Sequence, residues 1–64
     1  MILQELLKVF PITQKCKIIY YEEEEIFEVK GTPTYLLNNY EYLLDHEVIT
    51  AYSKANNSFI NICL

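Results

Sequence analysis

The chain has 64 residues, with five lysines, no arginine and nine acidic residues, and its net charge is −4. This length predicts one small domain over residues 1–64, of a size that disulfides, a metal or oligomerisation commonly help to stabilise. The acidic balance and the missing arginine, the usual bidentate ligand of phosphates and guanines, argue against nucleic-acid binding. The sequence also lacks an apolar stretch near the roughly 20 residues that span a bilayer, so we expect no membrane partner.

The N-terminal segment predicts a short amphipathic helix over residues 2–10. Its apolar stripe consists of Ile2, Leu3, Leu6, Leu7 and Phe10. Pro11 ends the helix, because proline donates no N–H and disfavours helical geometry in the residue before it. The segment has neither the basic start nor the small-residue cleavage site of a secretion signal, so we expect a cytoplasmic protein.

Two alternating apolar segments flank four consecutive glutamates and predict a β-hairpin. The register that keeps apolar side chains on one face pairs Tyr20 with Phe27 and Ile18 with Val29. It also places Cys16 on the same side. This register requires an even number of loop residues. Glutamate does not favour the positive φ of a tight two-residue turn, so we predict a four-residue loop.

The acidic run is interpreted as the solvated tip of this hairpin. Adjacent residues of a strand point to opposite faces, so four neighbouring glutamates do not readily converge on one metal ion. Dense negative charge can instead steer a partner with a basic surface. The predicted steering residues are Glu22, Glu23, Glu24 and Glu25.

Residues 32–48 predict a helical region that begins with Thr32 as N-cap and Pro33 in the first turn. Its apolar stripe consists of Leu36, Tyr40, Leu43, Leu44 and Val48. Two central asparagines leave open whether this is one kinked helix or two short ones. His46, near the end of the region, has no second histidine or nucleophile at a useful spacing. We therefore predict no catalytic residue, no metal site, no cofactor and no enzyme activity.

The C-terminal segment predicts a second hairpin, with its turn at residues 56–57. The predicted pairs are Ile49–Leu64, Ala51–Ile62 and Ser53–Ile60. The element order α-β-β-α-β-β predicts the α+β class, with the two hairpins forming an antiparallel sheet and the helices on one face of it. Cys16 and Cys63 then lie on opposite faces, so we expect two reduced thiols rather than an intrachain disulfide.

Apolar side chains also remain on the face of the hairpins that points away from the predicted core. They are Ile19, Tyr21, Ile26, Tyr52 and Phe59. Such a concentration of apolar and aromatic groups predicts a protein interface; the alternative is a misread register in which they belong to the core. Together with the small size of the chain, this favours a homodimer.

The segments "EIFEVKGTPTYL", "YLLDHEVITAY" and "FINICL" resemble short accessory proteins of phages and prophages of Gram-positive bacteria. Those proteins share a leucine-rich start, an acidic hairpin, a "YLLD-x-EV" helix end and a final hairpin. The matching positions here are Tyr42, Leu43, Leu44, Asp45, Glu47 and Val48. The shared motif is structural and brings no catalytic residue. The resemblance implies an accessory role, such as inhibition of a bacterial defence system.

These observations favour a small non-enzymatic interaction protein that binds and inhibits a host protein with a basic surface. One alternative is a small-molecule or nucleotide sponge with a tyrosine-lined pocket between protomers. Another is a structural subunit of a larger assembly.

Overall fold

Helices and strands form two layers in the computed structural model, which describes residues 1–54 and 58–64. The elements in chain order are α1 (Leu3–Val9), β1 (Lys15–Glu22), β2 (Glu25–Gly31), α2 (Pro33–Asn39), a 3-10 helix (Glu41–Leu43), β3 (Thr50–Ser53) and β4 (Phe59–Cys63). The α+β class is confirmed. The structure adds the 3-10 helix to the predicted order.

All four described strands belong to one sheet, in the order β2-β1-β4-β3. The prediction of an antiparallel sheet is wrong, because the two central strands, β1 and β4, run parallel and align Ile18 with Ile62. The physical reason is the route of the chain after β2. Parallel neighbours need a crossover rather than a hairpin. The segment with α2 and the 3-10 helix carries the chain to the other end of the sheet, where β3 starts.

The predicted registers within both hairpins are confirmed. Tyr20 pairs with Phe27 and Ile18 with Val29 in the first hairpin. The second hairpin contains the pairs Ala51–Ile62 and Ser53–Ile60, whereas its ladder stops at Thr50–Cys63, one residue short of the predicted Ile49–Leu64 pair. The turn predicted at residues 56–57 lies outside the described residues.

The turn of the first hairpin differs from the prediction. Pairing continues to Glu22 and Glu25, so the loop has two residues, and the predicted four-residue loop is wrong. The two loop residues, Glu23 and Glu24, have φ values of 52° and 68°. Positive φ at both positions matches the right-handed twist of the flanking strands. Strand pairing and twist therefore outweigh the local preference of glutamate.

Helix α1 is held at its N-terminal end by the segment that follows the 3-10 helix. The N–H groups of Leu3 and Gln4 donate to the carbonyls of His46 and Leu44, each at 2.9 Å. Glu5 Oε1 also accepts from the N–H of Ile2 at 3.1 Å. These bonds satisfy groups that a helix start otherwise leaves unpaired.

Helix α2 starts as predicted and ends early. Thr32 Oγ1 accepts a hydrogen bond from the N–H of Tyr35 at 3.4 Å, and Pro33 is the first helical residue. At the other end, Asn39 Nδ2 donates to the carbonyl of Tyr35 at 2.8 Å. Asparagine side chains compete in this way with the helical backbone. The region is therefore two short helices rather than one kinked helix.

The core lies between the helices and one face of the sheet. Its buried side chains are Leu3, Leu7, Cys16, Ile18, Tyr20, Leu36, Leu43 and Ile62. Every second residue of β1 contributes, which is the periodicity of a strand with one covered face. The helices therefore occupy one face of the sheet, as predicted.

Gly31, the last residue of β2, lies directly under the ring of Tyr35. A Cβ atom at this position would be 2.5 Å from Tyr35 Cδ2. We expect Gly31→Ala to lower the free energy of unfolding by about 1 kcal/mol, because the ring must move. Urea unfolding monitored by circular dichroism measures this change.

The Tyr35→Ala background is the control for the Gly31 substitution. Without the ring, Gly31→Ala is expected to be neutral or slightly stabilising, because alanine reduces the conformational freedom of the unfolded chain. The same loss in both backgrounds would show that the Tyr35 contact is not the cause.

Candidate protein-interaction surface

The sheet has a second face, opposite the helices, which we call the open face. No described helix packs against it, because the core cluster uses only the other side of each strand. Cross-strand pairing places all the predicted interface residues on the open face, namely Ile19, Tyr21, Ile26, Tyr52 and Phe59. The structure thus places these residues on one face, with Tyr21 and Ile26 near the turn of the first hairpin and Phe59 near its opposite end, and their role in binding remains a prediction.

The apolar groups of the open face are strongly exposed near the hairpin turn. Tyr21 and Ile26 form a cross-strand pair and are 68% and 60% exposed. Tyr52, on the edge strand β3, is 42% exposed. Ile19 lies between them and is half-buried. Burying such aromatic and aliphatic side chains is the usual source of affinity at a protein interface.

Three lysines form a basic group at the opposite end of the open face; we call Lys15, Lys17 and Lys30 the lysine patch. Lys17 and Lys30 are direct cross-strand neighbours. The ammonium groups of Lys15 and Lys30 lie 5.9 and 5.7 Å from the centroid of the Phe59 ring. Within the described residues, the one ion pair joins the N-terminus to Glu47, so none of these lysines has a carboxylate partner. Like charges side by side destabilise a sheet unless another group neutralises them.

The glutamates form a second like-charged group at the turn, and we call Glu22, Glu23, Glu24 and Glu25 the acidic turn. Glu22 and Glu25 are cross-strand neighbours, and all four are exposed. At about 3.3 Å per strand residue, the acidic turn lies roughly 20–25 Å from the lysine patch. The first hairpin is therefore acidic at one end and basic at the other. Between them the open face carries Ile19, Tyr21 and Ile26 together with one exposed carboxylate, Glu28.

Asn61 is an unusual residue for the centre of this face. It lies on β4 beside Lys17 and Tyr52, and its side chain is only 2% exposed. Its Nδ2 atom has no hydrogen-bond partner among the described residues. A buried donor without an acceptor costs about 1–3 kcal/mol. Among the described residues, the open face thus leaves one buried donor beside the lysine patch without an acceptor.

The two cysteines lie on opposite faces of the sheet, as predicted. Cys16 is buried in the core, and burial raises the pKa of its thiol. Cys63 lies half-buried on the open face, opposite Thr50. A raised thiol pKa leaves less thiolate, which makes the buried Cys16 thiol a weak nucleophile.

A chain of aromatic rings on the helix side was not predicted. Tyr20 stacks on Phe27 with ring centroids 5.4 Å apart. Its hydroxyl shares a hydrogen bond of 3.1 Å with that of Tyr42, and this bond, together with burial and nearby charges, raises the pKa of Tyr20 to about 12. Tyr40 and Tyr35 continue the chain at 6.2 and 6.1 Å. In the sequence, the segment "NYEY" contains Tyr40 and Tyr42. Helical periodicity alone does not predict that these rings lie next to Tyr20.

Small-molecule and metal sites find little support in the described part of the chain. One groove of about 580 Å³ is wide open and lined by Gln4, Lys8, Leu37, Glu41, Leu44 and Asp45. One lysine between two carboxylates is a poor cradle for a nucleotide. No group of described histidine, cysteine, aspartate or glutamate side chains is arranged to hold a metal ion, and His46 is exposed.

No helix within residues 1–54 and 58–64 is long and apolar enough to cross a membrane. Comparisons with protein-family models, curated proteins and solved structures find no match to this chain.

Proposed function

We propose that this chain is a protein-binding module that acts by non-covalent attachment through its open face. The observation that carries the proposal is the exposed Tyr21–Ile26 pair, 68% and 60% exposed, on a sheet whose other face already contains the core. A contiguous apolar surface of this kind is costly to leave in water and is typical of a binding site.

The acidic turn adds a preference for the charge of the partner. It lies directly beside Tyr21 and Ile26, so a target that covers this pair is close to the carboxylates of the two turn residues, Glu23 and Glu24, whereas Glu22 and Glu25 alternate to the helix side. Opposite charge on the target speeds encounter and suppresses wrong partners. The fitting target is a protein with an apolar patch bordered by lysines or arginines.

The biological role that we propose is inhibition of a bacterial host protein by occupation of its surface. This step follows from the resemblance to phage accessory proteins, and a defence protein is the target class that the resemblance implies. Inhibition by binding needs no catalytic group in the chain itself.

A pull-down with paired baits tests this function. The wild-type chain is expected to recover a bacterial protein in stoichiometric amount, and Tyr21→Ser/Ile26→Ser is expected to lose it. With purified components, the double substitution should weaken binding at least about tenfold, a loss of roughly 1.4 kcal/mol.

The matched control for the pull-down is Tyr35→Ser/Val9→Ser. It removes one tyrosine and one aliphatic side chain that are similarly exposed on the helix side. The control bait should bind as wild type does. Equal recovery by wild type and Tyr21→Ser/Ile26→Ser, with both baits folded, would contradict the proposed binding face.

A further inference from the structure

We infer that the open face binds a second copy of this chain, with the acidic turn of each copy against the lysine patch of the other. The inference rests on the proposed function, because it names the partner that covers the same face when the target is absent. Its basis is the opposite charge at the two ends of the first hairpin.

The charged groups lie at equal distances from the Tyr20–Phe27 pair of the β1–β2 ladder. Lys17 lies three residues before Tyr20, and Glu23 lies three residues after it. A two-fold axis that lies above this pair on the open side, parallel to the sheet and perpendicular to the strands, exchanges the two charged ends of the hairpin. Two open faces related by this axis bring acidic turn and lysine patch together twice.

The charges favour this axis over the other two-fold axis parallel to the sheet, which runs along the strands. A two-fold axis parallel to the strands would place the acidic turn over its own copy and the lysine patch over its own copy. Both contacts would be repulsive, and both are attractive in the head-to-tail arrangement. Lysines that form no ion pair among the described residues thus acquire a carboxylate partner from the second copy.

Two further features of the face agree with head-to-tail contact. Tyr21 and Ile26 lie between the charged ends, so the same arrangement removes them from water. Asn61, whose Nδ2 has no partner among the described residues, lies beside Lys17. A carboxylate that reaches Lys17 is therefore next to a donor that needs an acceptor.

The size of the face sets the expected affinity. It measures about 26 Å along β1 and about 19 Å across four strands, at ~3.3 Å per residue and ~4.8 Å per strand. Such an interface is smaller than the roughly 800 Å² per partner of a standard protein complex. We therefore expect a dissociation constant that is roughly micromolar, weak enough for a target to displace the second copy.

Charge reversal tests the arrangement by sedimentation velocity, at concentrations from roughly one to a few hundred micromolar. The wild type should dimerise, with a dissociation constant that rises at least about tenfold at high salt. Lys17→Glu/Lys30→Glu should be monomeric, as should Glu23→Lys/Glu24→Lys. An equimolar mixture of these two variants should form a heterodimer, because each mismatched end then meets the opposite charge.

A control for net charge is Glu41→Lys/Asp45→Lys, which reverses two carboxylates on the helix side. This variant should dimerise as wild type does, and it should not form a heterodimer with Lys17→Glu/Lys30→Glu. The inference is overturned if the reversed variants self-associate like wild type, or if their mixture remains monomeric while wild type dimerises.

A monomeric wild type would overturn the inference and leave the proposed function standing, provided that Tyr21→Ser/Ile26→Ser still abolishes target binding. A head-to-tail dimer whose face binds no target would support the inference and contradict the proposed function.

Discussion

Replacing the turn residues Glu23 and Glu24 by asparagine and glycine is expected to raise the free energy of unfolding by about 1–3 kcal/mol. Both glutamates have positive φ, 52° and 68°, which crowds a side chain against the backbone. Asn-Gly is the sequence that best tolerates this two-residue turn. In a domain of this size, each kcal/mol corresponds to about 4–8 °C in melting temperature, so thermal unfolding resolves the effect.

Two control variants separate backbone strain from charge repulsion in the turn. Glu23→Gln/Glu24→Gln removes the charges and keeps the strained backbone, so it should gain only a fraction of the Asn-Gly effect. Glu22→Gln/Glu25→Gln removes the same charge at positions with ordinary strand geometry. If Glu23→Gln/Glu24→Gln is as stable as the Asn-Gly variant, repulsion rather than φ limits this turn.

Ile18→Ala is expected to lower the free energy of unfolding by about 2–5 kcal/mol. Ile18 is fully buried at the centre of the sheet, between Val29 on β2 and Ile62 on β4. A chain of this length has a total stability of roughly 3–10 kcal/mol. The variant should therefore lose a large part of its free energy of unfolding, as measured by urea titration and circular dichroism.

The neighbouring isoleucine is a matched control for Ile18→Ala. Ile19 is the same residue type in the same strand, but it points to the open face and is half-buried. Ile19→Ala should lower the free energy of unfolding of the monomer by less than about 1.5 kcal/mol. Equal losses at both positions would mean that the open face is as well packed as the core, which would also contradict its use as a binding face.

Strand registers could be predicted from the sequence because a one-residue slip moves every apolar side chain to the wrong face. Tyr20–Phe27 and Ala51–Ile62 follow from this rule, and so does the position of Tyr21 and Ile26 on the open face. The parallel pairing of β1 with β4, which joins the two hairpins, could not be predicted. Parallel and antiparallel pairing of β1 with β4 leave the same alternation in each strand, so the sequence pattern does not distinguish them.

The conformational preferences of single residues did not predict the two-residue turn, and the local sequence did not predict how the lysine patch packs. Glutamate at Glu23 and Glu24 argued for a longer loop, yet the pairing of Glu22 with Glu25 forces two residues with positive φ. The contact of the Lys15 and Lys30 ammonium groups with the Phe59 ring depends on β4. That contact exists only in the assembled sheet, and no window of sequence contains it.

The parallel pairing of β1 with β4 at the centre of the sheet also has a consequence for the folding rate. Lys15 pairs with Phe59, which is 44 positions later in a chain of 64 residues. Hairpins close locally within microseconds, whereas contacts between distant segments must first overcome the entropy of closing a long loop. Until β4 pairs with β1, Ile18 lacks its buried neighbour Ile62. We therefore expect the slow step of folding to be the pairing of β1 with β4, two segments that are distant in the chain.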